Sequence, residues 1–124
     1  MNEHNGKLNW IFADGELPPK GDNPDFPGHE SLMITNVNNT DAHITIDILF
    51  DDRDPVKGLT CTVGAERVKC LRLDKKICDQ EYQIPYGQYA LVIHSDVPVA
   101  AVFGRLDVRQ ANMSFYSVQG YSYN

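Results

Sequence analysis

Near the end of the chain, Ala101 to Gln110 reads AVFGRLDVRQ and sets Arg105, Asp107 and Arg109 at alternate positions. In an extended strand that spacing puts all three on one face, with Leu106 and Val108 on the other. Asp107 then lies about 7 Å from either arginine along the strand and can bridge to both. Two guanidinium forks steadied by a carboxylate are arranged to meet a carboxylate, a phosphate or a polar ligand bidentately. A solvated strand edge and a subunit contact produce the same pattern, so three readings stand side by side.

Three further groups have the residue types for chemistry. Trp10, the only tryptophan, precedes Ala13-Asp14-Gly15, and an aromatic face beside a hydrogen-bonding acid suits a sugar ring or another flat polar ligand. The plainer reading of Trp10 is a core position in a first strand. In Gly28-His29-Glu30-Ser31, His29 offers an imidazole donor or acceptor and Glu30 accepts hydrogen bonds from a ligand or an arginine; a satisfied pair at a strand start is the plainer alternative. Asp51-Asp52-Arg53-Asp54-Pro55 lacks the regular oxygen spacing and the glycine of a calcium loop and reads as a solvated turn.

The elements that must position these residues follow a period of two. Ile44, Ile46, Ile48 and Phe50 alternate with His43, Thr45, Asp47 and Leu49, the signature of a half-buried strand. Ser31 to Val37 precedes it, and Asn38-Asn39-Thr40-Asp41 between them suits a hairpin turn. A second pair, Leu59 to Val63 and Arg67 to Leu73, is joined through Gly64-Ala65-Glu66, and a tight turn there would bring Cys61 near Cys70. A third pair, Tyr89 to His94 and Val99 to about Val108, is separated by Ser95-Asp96-Val97-Pro98; Met113 to Tyr123 closes the chain. No segment has the 3.6-residue period of an amphipathic helix. The pattern predicts an all-β single domain over residues 1–124, an antiparallel β-sandwich or small barrel of about seven to eight strands. The proline-rich stretch Leu17 to Pro27 is too long for a simple connector and predicts a segment that packs over something or meets a partner.

Composition narrows the function classes. Seventeen acidic residues against 11 Lys and Arg give a formal charge of −6, without the basic cluster that nucleic-acid binding needs. No run approaches the length of a membrane span, and MNEHNGKLNW lacks the apolar core of a signal peptide, which predicts a soluble, cytoplasmic protein. Three cysteines without CxxC spacing encode neither a disulfide framework nor a zinc site and read as reduced structural thiols. Phosphate-binding loops, GxSxG, HExxH and EF-hand motifs are absent, and His4, His29, His43 and His94 are too scattered for a metal site. No cofactor and no catalytic residue is expected.

The order of the segments resembles the soluble sensory rhodopsin transducer family, small cytoplasmic partners of a light receptor. The resemblance is carried by Trp10-Ile11-Phe12-Ala13-Asp14-Gly15 with Pro18-Pro19, His29-Glu30-Ser31, Asp41-Ala42-His43-Ile44-Thr45-Ile46 and Asp54-Pro55-Val56. It continues through Val63-Gly64-Ala65-Glu66-Arg67, Ile84-Pro85, Ser95-Asp96-Val97-Pro98-Val99 and Arg105-Leu106-Asp107-Val108-Arg109-Gln110. Leu71 to Tyr82 and the tail after Gln110 depart from the pattern. The resemblance implies a sandwich-like subunit in a homotetramer, without enzymatic activity. It further implies a site for a small polar ligand such as a carbohydrate, lined by Trp10, Asp14, His29, Glu30, Arg105, Asp107 and Arg109. In that reading Trp10 stacks, Asp14 and Glu30 accept, His29 is a tunable donor, and Asp107 orients the Arg105 and Arg109 clamps. The alternative it implies is an interaction protein that docks to a membrane receptor of the sensory rhodopsin type, with the same charges serving assembly or docking.

Overall fold

The computed structural model describes residues 6–17, 28–107 and 114–124. Among the described residues ten strands run in chain order: β1 (Lys7–Leu17), β2 (His29–Asn36), β3 (Ala42–Leu49), β4 (Val56–Val63), β5 (Arg67–Arg72), β6 (Lys76–Ile77), β7 (Tyr82–Gln83), β8 (Gly87–Asp107), β9 (Ser114–Val118) and β10 (Tyr121–Tyr123). Eight of them join one antiparallel system, and β6 with β7 forms a separate small hairpin. The all-β expectation is met, and among the described residues there is no helix long and apolar enough to cross a membrane.

The organising element is β8, 21 residues long. Its first half lies between β1 and β3, with β10 beyond β1 and β4 beyond β3. Its second half lies between β2 and β9, with β5 beyond β2. Two open sheets therefore share one strand, a sandwich-like arrangement that does not close into a barrel. One core fills the space between them, drawing Phe12, Ile44, Ile46, Ile48, Leu91 and Ile93 from one sheet and Leu32, Ile34, Leu71 and Phe103 from the other. The predicted alternation of β3 is observed, with Ala42, Ile44, Ile46 and Ile48 all buried.

The three expected hairpins are not formed. β2 pairs with β5 and β8, whereas β3 pairs with β4 and β8, so Asn38 to Asp41 carries the chain from one sheet to the other. Gly64 to Glu66 crosses back in the same way between β4 and β5. Cys61 accordingly faces Ile44 in its ladder and Cys70 faces Met33, and the two thiols are not cross-strand neighbours. Ser95 to Pro98 is no turn but the bend of β8: the last residue paired with β3 is Ser95, and the first paired with β2 is Ala100.

The physical reason is that turn residues specify a reversal of the chain, not the strand it will pair with. Asn36 makes the choice here. Fully buried, its side-chain amide donates to the carbonyls of Thr40 (2.9 Å), Val63 (3.1 Å) and Gly64 (3.2 Å), and its oxygen accepts from the Asn38 backbone N–H (3.0 Å) and side chain (2.7 Å). Asn38 also donates to the carbonyl of Pro98 at 2.7 Å, tying both crossings to the bend of β8.

Candidate functional site

Strand alternation in β2 buries Glu30, Leu32, Ile34 and Asn36 in one line. Glu30 thus sits on the core face with 0% exposure, directly across the ladder from Arg105, which is 8% exposed. A carboxylate and a guanidinium placed opposite each other and cut off from water must satisfy one another. Arg105 Nε donates to Glu30 Oε2. The other oxygen, Oε1, accepts from the Tyr89 hydroxyl at 2.6 Å, and the backbone N–H of Glu16 donates to both oxygens at 3.1 and 3.3 Å. Arg105 Nη2 donates to the carbonyl of Asp14 at 3.2 Å. The backbone carbonyl of Glu30 accepts from Leu73 N–H at 2.8 Å.

A bulge in β1 makes this possible. Phe12 faces Leu91 and Gly15 faces Tyr89, so β1 spends one more residue than β8 over Ala13 and Asp14. The extra residue brings the Asp14 carbonyl and the Glu16 N–H to the ion pair. Gly15 is required by contact: a Cβ there would lie 2.6 Å from Tyr89 Cζ, so only glycine lets the phenol lie across the strand and reach Glu30.

Burial pushes the Glu30 carboxyl above its ordinary value, against the opposite pull of Tyr89, Arg105 and the Glu16 amide. Burial and the neighbouring carboxyl push the Tyr89 hydroxyl up, which keeps it protonated and donating. Among the described residues no buried side-chain nitrogen or oxygen lacks a partner. The cluster ties β1, β2 and β8 together around one buried charge pair, and its polar groups are turned toward one another.

Of the seven predicted site residues, the structure brings three to one place: Glu30 and Arg105 through their side chains, and Asp14 through its carbonyl, its side chain being exposed. His29 is half-buried and alternates to the other face of β2 from Glu30. Trp10 stands apart from the ion pair. Its indole N–H donates to the carbonyls of Val99 (3.2 Å) and Lys7 (3.3 Å), and its ring stacks on Phe12 with centroids 6.2 Å apart. Phe12 in turn stacks on Phe103 at 5.9 Å, so Trp10 continues the aromatic core. Backbone pairing extends β8 to Asp107, opposite Ser114; the Asp107 side chain and all of Arg109 lie outside the described residues, as do positions 18–27 of the proline-rich stretch.

Tyr89, Gly15 and the Glu16 amide were not legible as site components. Tyr89 shares its parity with Leu91 and Ile93, and nothing local separates a core tyrosine from one that caps a carboxylate. The Asp51–Asp54 turn is exposed, with Arg53 held by Asp52 (3.0 Å) and lying over the Phe50 ring at 5.1 Å. Among the described residues no group of three His, Cys, Asp or Glu could hold a metal ion.

Comparison with known proteins places this geometry. No curated protein matches the chain. A solved structure described as Thermotoga maritima 1070 shares 33% identity and superposes with a TM-score of 0.83 over 95% of this chain and 96% of that one. The Anabaena sensory rhodopsin transducer shares 38% identity, with a TM-score of 0.70 over 86% of this chain and 93% of that chain. The family model described as Anabaena sensory rhodopsin transducer matches residues 5–122, so the chain belongs to the Anabaena sensory rhodopsin transducer family.

Proposed function

We propose that this chain is a non-catalytic signalling protein of the cytoplasm that docks to a membrane receptor of the sensory rhodopsin type and passes on its state. The observation that carries the reading is the 38% identity to the Anabaena sensory rhodopsin transducer over 86% of the chain. A rigid scaffold with exposed apolar side chains fits it. The buried ion pair fixes three strands, while Val37, Val68, Tyr121 and Tyr123 stand exposed at 51%, 66%, 68% and 40% for contact with a protein. Homotetramer assembly belongs to the same reading. Light scattering should then give four times the 14.0 kDa of one chain. Calorimetric titration into nanodiscs holding a retinal receptor from the same organism should show saturable binding. A monomeric mass with no heat of binding would end this reading.

A second reading, binding of a small polar ligand such as a sugar or sugar acid, is favoured by the convergence of Asp14, Glu30 and Arg105 at the ends of β1, β2 and β8. In this reading Asp107 and Arg109 extend the lining, while Trp10 and His29, set apart from the ion pair, stay outside it. A ligand of the folded state raises the melting temperature by mass action. A thermal-shift screen of sugars and sugar acids should give a concentration-dependent rise that Asp14→Ala weakens, since the exposed Asp14 side chain is free of the ion pair's own bonds. A screen in which no compound shifts the melting of the parent protein rejects it.

A further inference from the structure

Two of the three cysteines come together where the sequence did not place them. Among the described residues β4 is an edge strand, paired with β3 alone. Its free edge is covered at Thr60 by the turn that joins β6 to β7. Asp79 N–H donates to the Thr60 carbonyl at 2.8 Å, and Thr60 N–H donates to Gln80 Oε1 at 2.9 Å. The Thr60 hydroxyl donates to Asp79 Oδ2 at 3.0 Å and accepts from Gln80 Nε2 at 2.9 Å. One residue onward from Thr60 is Cys61, and one residue back from Asp79 is Cys78. The Asp79–Thr60 bond therefore sets Cys61 and Cys78 beside each other, and their sulfurs lie within hydrogen-bond reach, the juxtaposition a disulfide needs.

The side chains agree with the backbone. Cys61 belongs to the core cluster and Cys78 packs against that cluster, so Cys61 is enclosed and Cys78 is half-buried. Cys70 is exposed elsewhere, opposite Met33. Cys78 also holds a left-handed backbone, φ 65°, a conformation that β-carbon sterics disfavour and that the turn nevertheless imposes on it.

The geometry points to Cys61 and Cys78 as a thiol modification site, a reversible dithiol–disulfide pair that takes low-molecular-weight disulfides such as oxidised glutathione as its co-substrate. In the first step the Cys78 thiolate attacks one sulfur of the small disulfide, forming a mixed disulfide and expelling one thiolate. In the second the Cys61 thiolate attacks the Cys78 sulfur, forming the Cys61–Cys78 bond and expelling the second thiolate. The two cysteine protons pass to the two leaving thiolates, and the two-electron oxidation of the protein is matched by reduction of the small disulfide to two thiols. A hydrogen bond between the sulfurs supports the chemistry. It holds the Cys61 thiol below its ordinary range and pushes the Cys78 thiol up, so the Cys61 thiolate is placed to take the Cys78 proton as Cys78 attacks. The bond would fasten the β6–β7 turn to β4 across a loop that contains β5, locking the cover over the sheet edge.

The full chain carrying Cys70→Ser tests this. Equilibrated with oxidised glutathione, it should lose both alkylatable thiols, gain no glutathione mass, and yield a cross-linked Cys61–Cys78 peptide. Its melting temperature should rise by about 10 °C and return with dithiothreitol. The double variant Cys70→Ser/Cys78→Ser, altered only at exposed and half-buried positions, should show neither the cross-link nor the rise. Two thiols that stay alkylatable throughout, or a lasting glutathione adduct on Cys78 beside a free Cys61, would overturn the proposal.

Discussion

Removing the Arg105 guanidinium while keeping the Glu30 carboxylate isolates the effect of a lone buried charge. With Glu30 at 0% exposure, Arg105→Met should lower stability at pH 7 by about 3–5 kcal/mol in urea unfolding. The pH dependence follows from the direction of the Glu30 shift. Its carboxyl is already above the ordinary 4.5 because of burial, and loss of the cation raises it further. A carboxyl whose folded value exceeds its unfolded one favours the fold fully below about pH 4.5, and that contribution is lost as pH rises through the folded value. The deficit of Arg105→Met should therefore shrink on acidification and widen toward neutrality; a deficit constant from pH 4.5 to 7 contradicts the assignment. A surface pair gives the opposite-signed partner test. His43 Nδ1 lies 2.8 Å from Asp96 Oδ2, whose hydrogen bond raises the His43 value above 6.5, while the His43 backbone N–H leads the lowering of Asp96 below 3.8. The histidine contribution is complete below 6.5 and lost as pH rises through its folded value; the aspartate contribution is complete above 3.8 and lost as pH falls through its folded value. Titration followed by NMR should place His43 above 6.5, and Asp96→Asn should bring it back. An unshifted His43 in the parent protein would show that the pair does not persist in solution.

At the scale of elements, the two crossings between sheets hang on Asn36. Asn36→Ala leaves the carbonyls of Thr40, Val63 and Gly64 and the amide of Asn38 without their side-chain partner. A loss of about 3 kcal/mol is expected, with faster hydrogen exchange at the Asn38 amide than at the core of β3. If the variant unfolds at the parent's urea midpoint, Asn36 does not set the crossings. This is also where local reading meets its limit. Asn38 to Asp41 has turn chemistry, and Ile44, Ile46 and Ile48 have strand chemistry, and both statements hold in the structure. Neither states that β2 and β3 belong to different sheets, because that depends on which distant strand offers a matching edge. Ser95 to Pro98 shows the same limit from the other side: residues suited to a turn serve as the bend of one continuous strand.

For the whole molecule, β8 must find four partners, β1, β3, β2 and β9, drawn from both ends of the chain before either sheet is complete. Loop closure over such separations precedes the contacts that reward it. Refolding from urea should accordingly take milliseconds to seconds rather than microseconds, with a single phase in stopped-flow fluorescence of Trp10. Refolding completed within the mixing time would show that part of this topology survives in the unfolded chain. Two of the edges left by the open sheets are short or covered. β10 has three residues, and β4 is covered at Thr60 by Asp79 and Gln80, which protects an edge from pairing with another chain.

The charges of RLDVRQ show how the two sources of information divide. Alternation along the sequence by itself determined the strand that carries Arg105 and the all-β class, because strand periodicity is a local property with a period of two. The ordered motifs from Trp10 to Gln110 determined the family. Only the tertiary structure decided that Arg105 is enclosed and spent on Glu30, that a bulge beside Gly15 supplies their remaining hydrogen bonds, and that Cys61 meets Cys78 rather than Cys70. Each of those outcomes depends on which remote strands become neighbours, and that is settled by burying one shared core at lowest free energy, a property of the whole chain and of no segment within it.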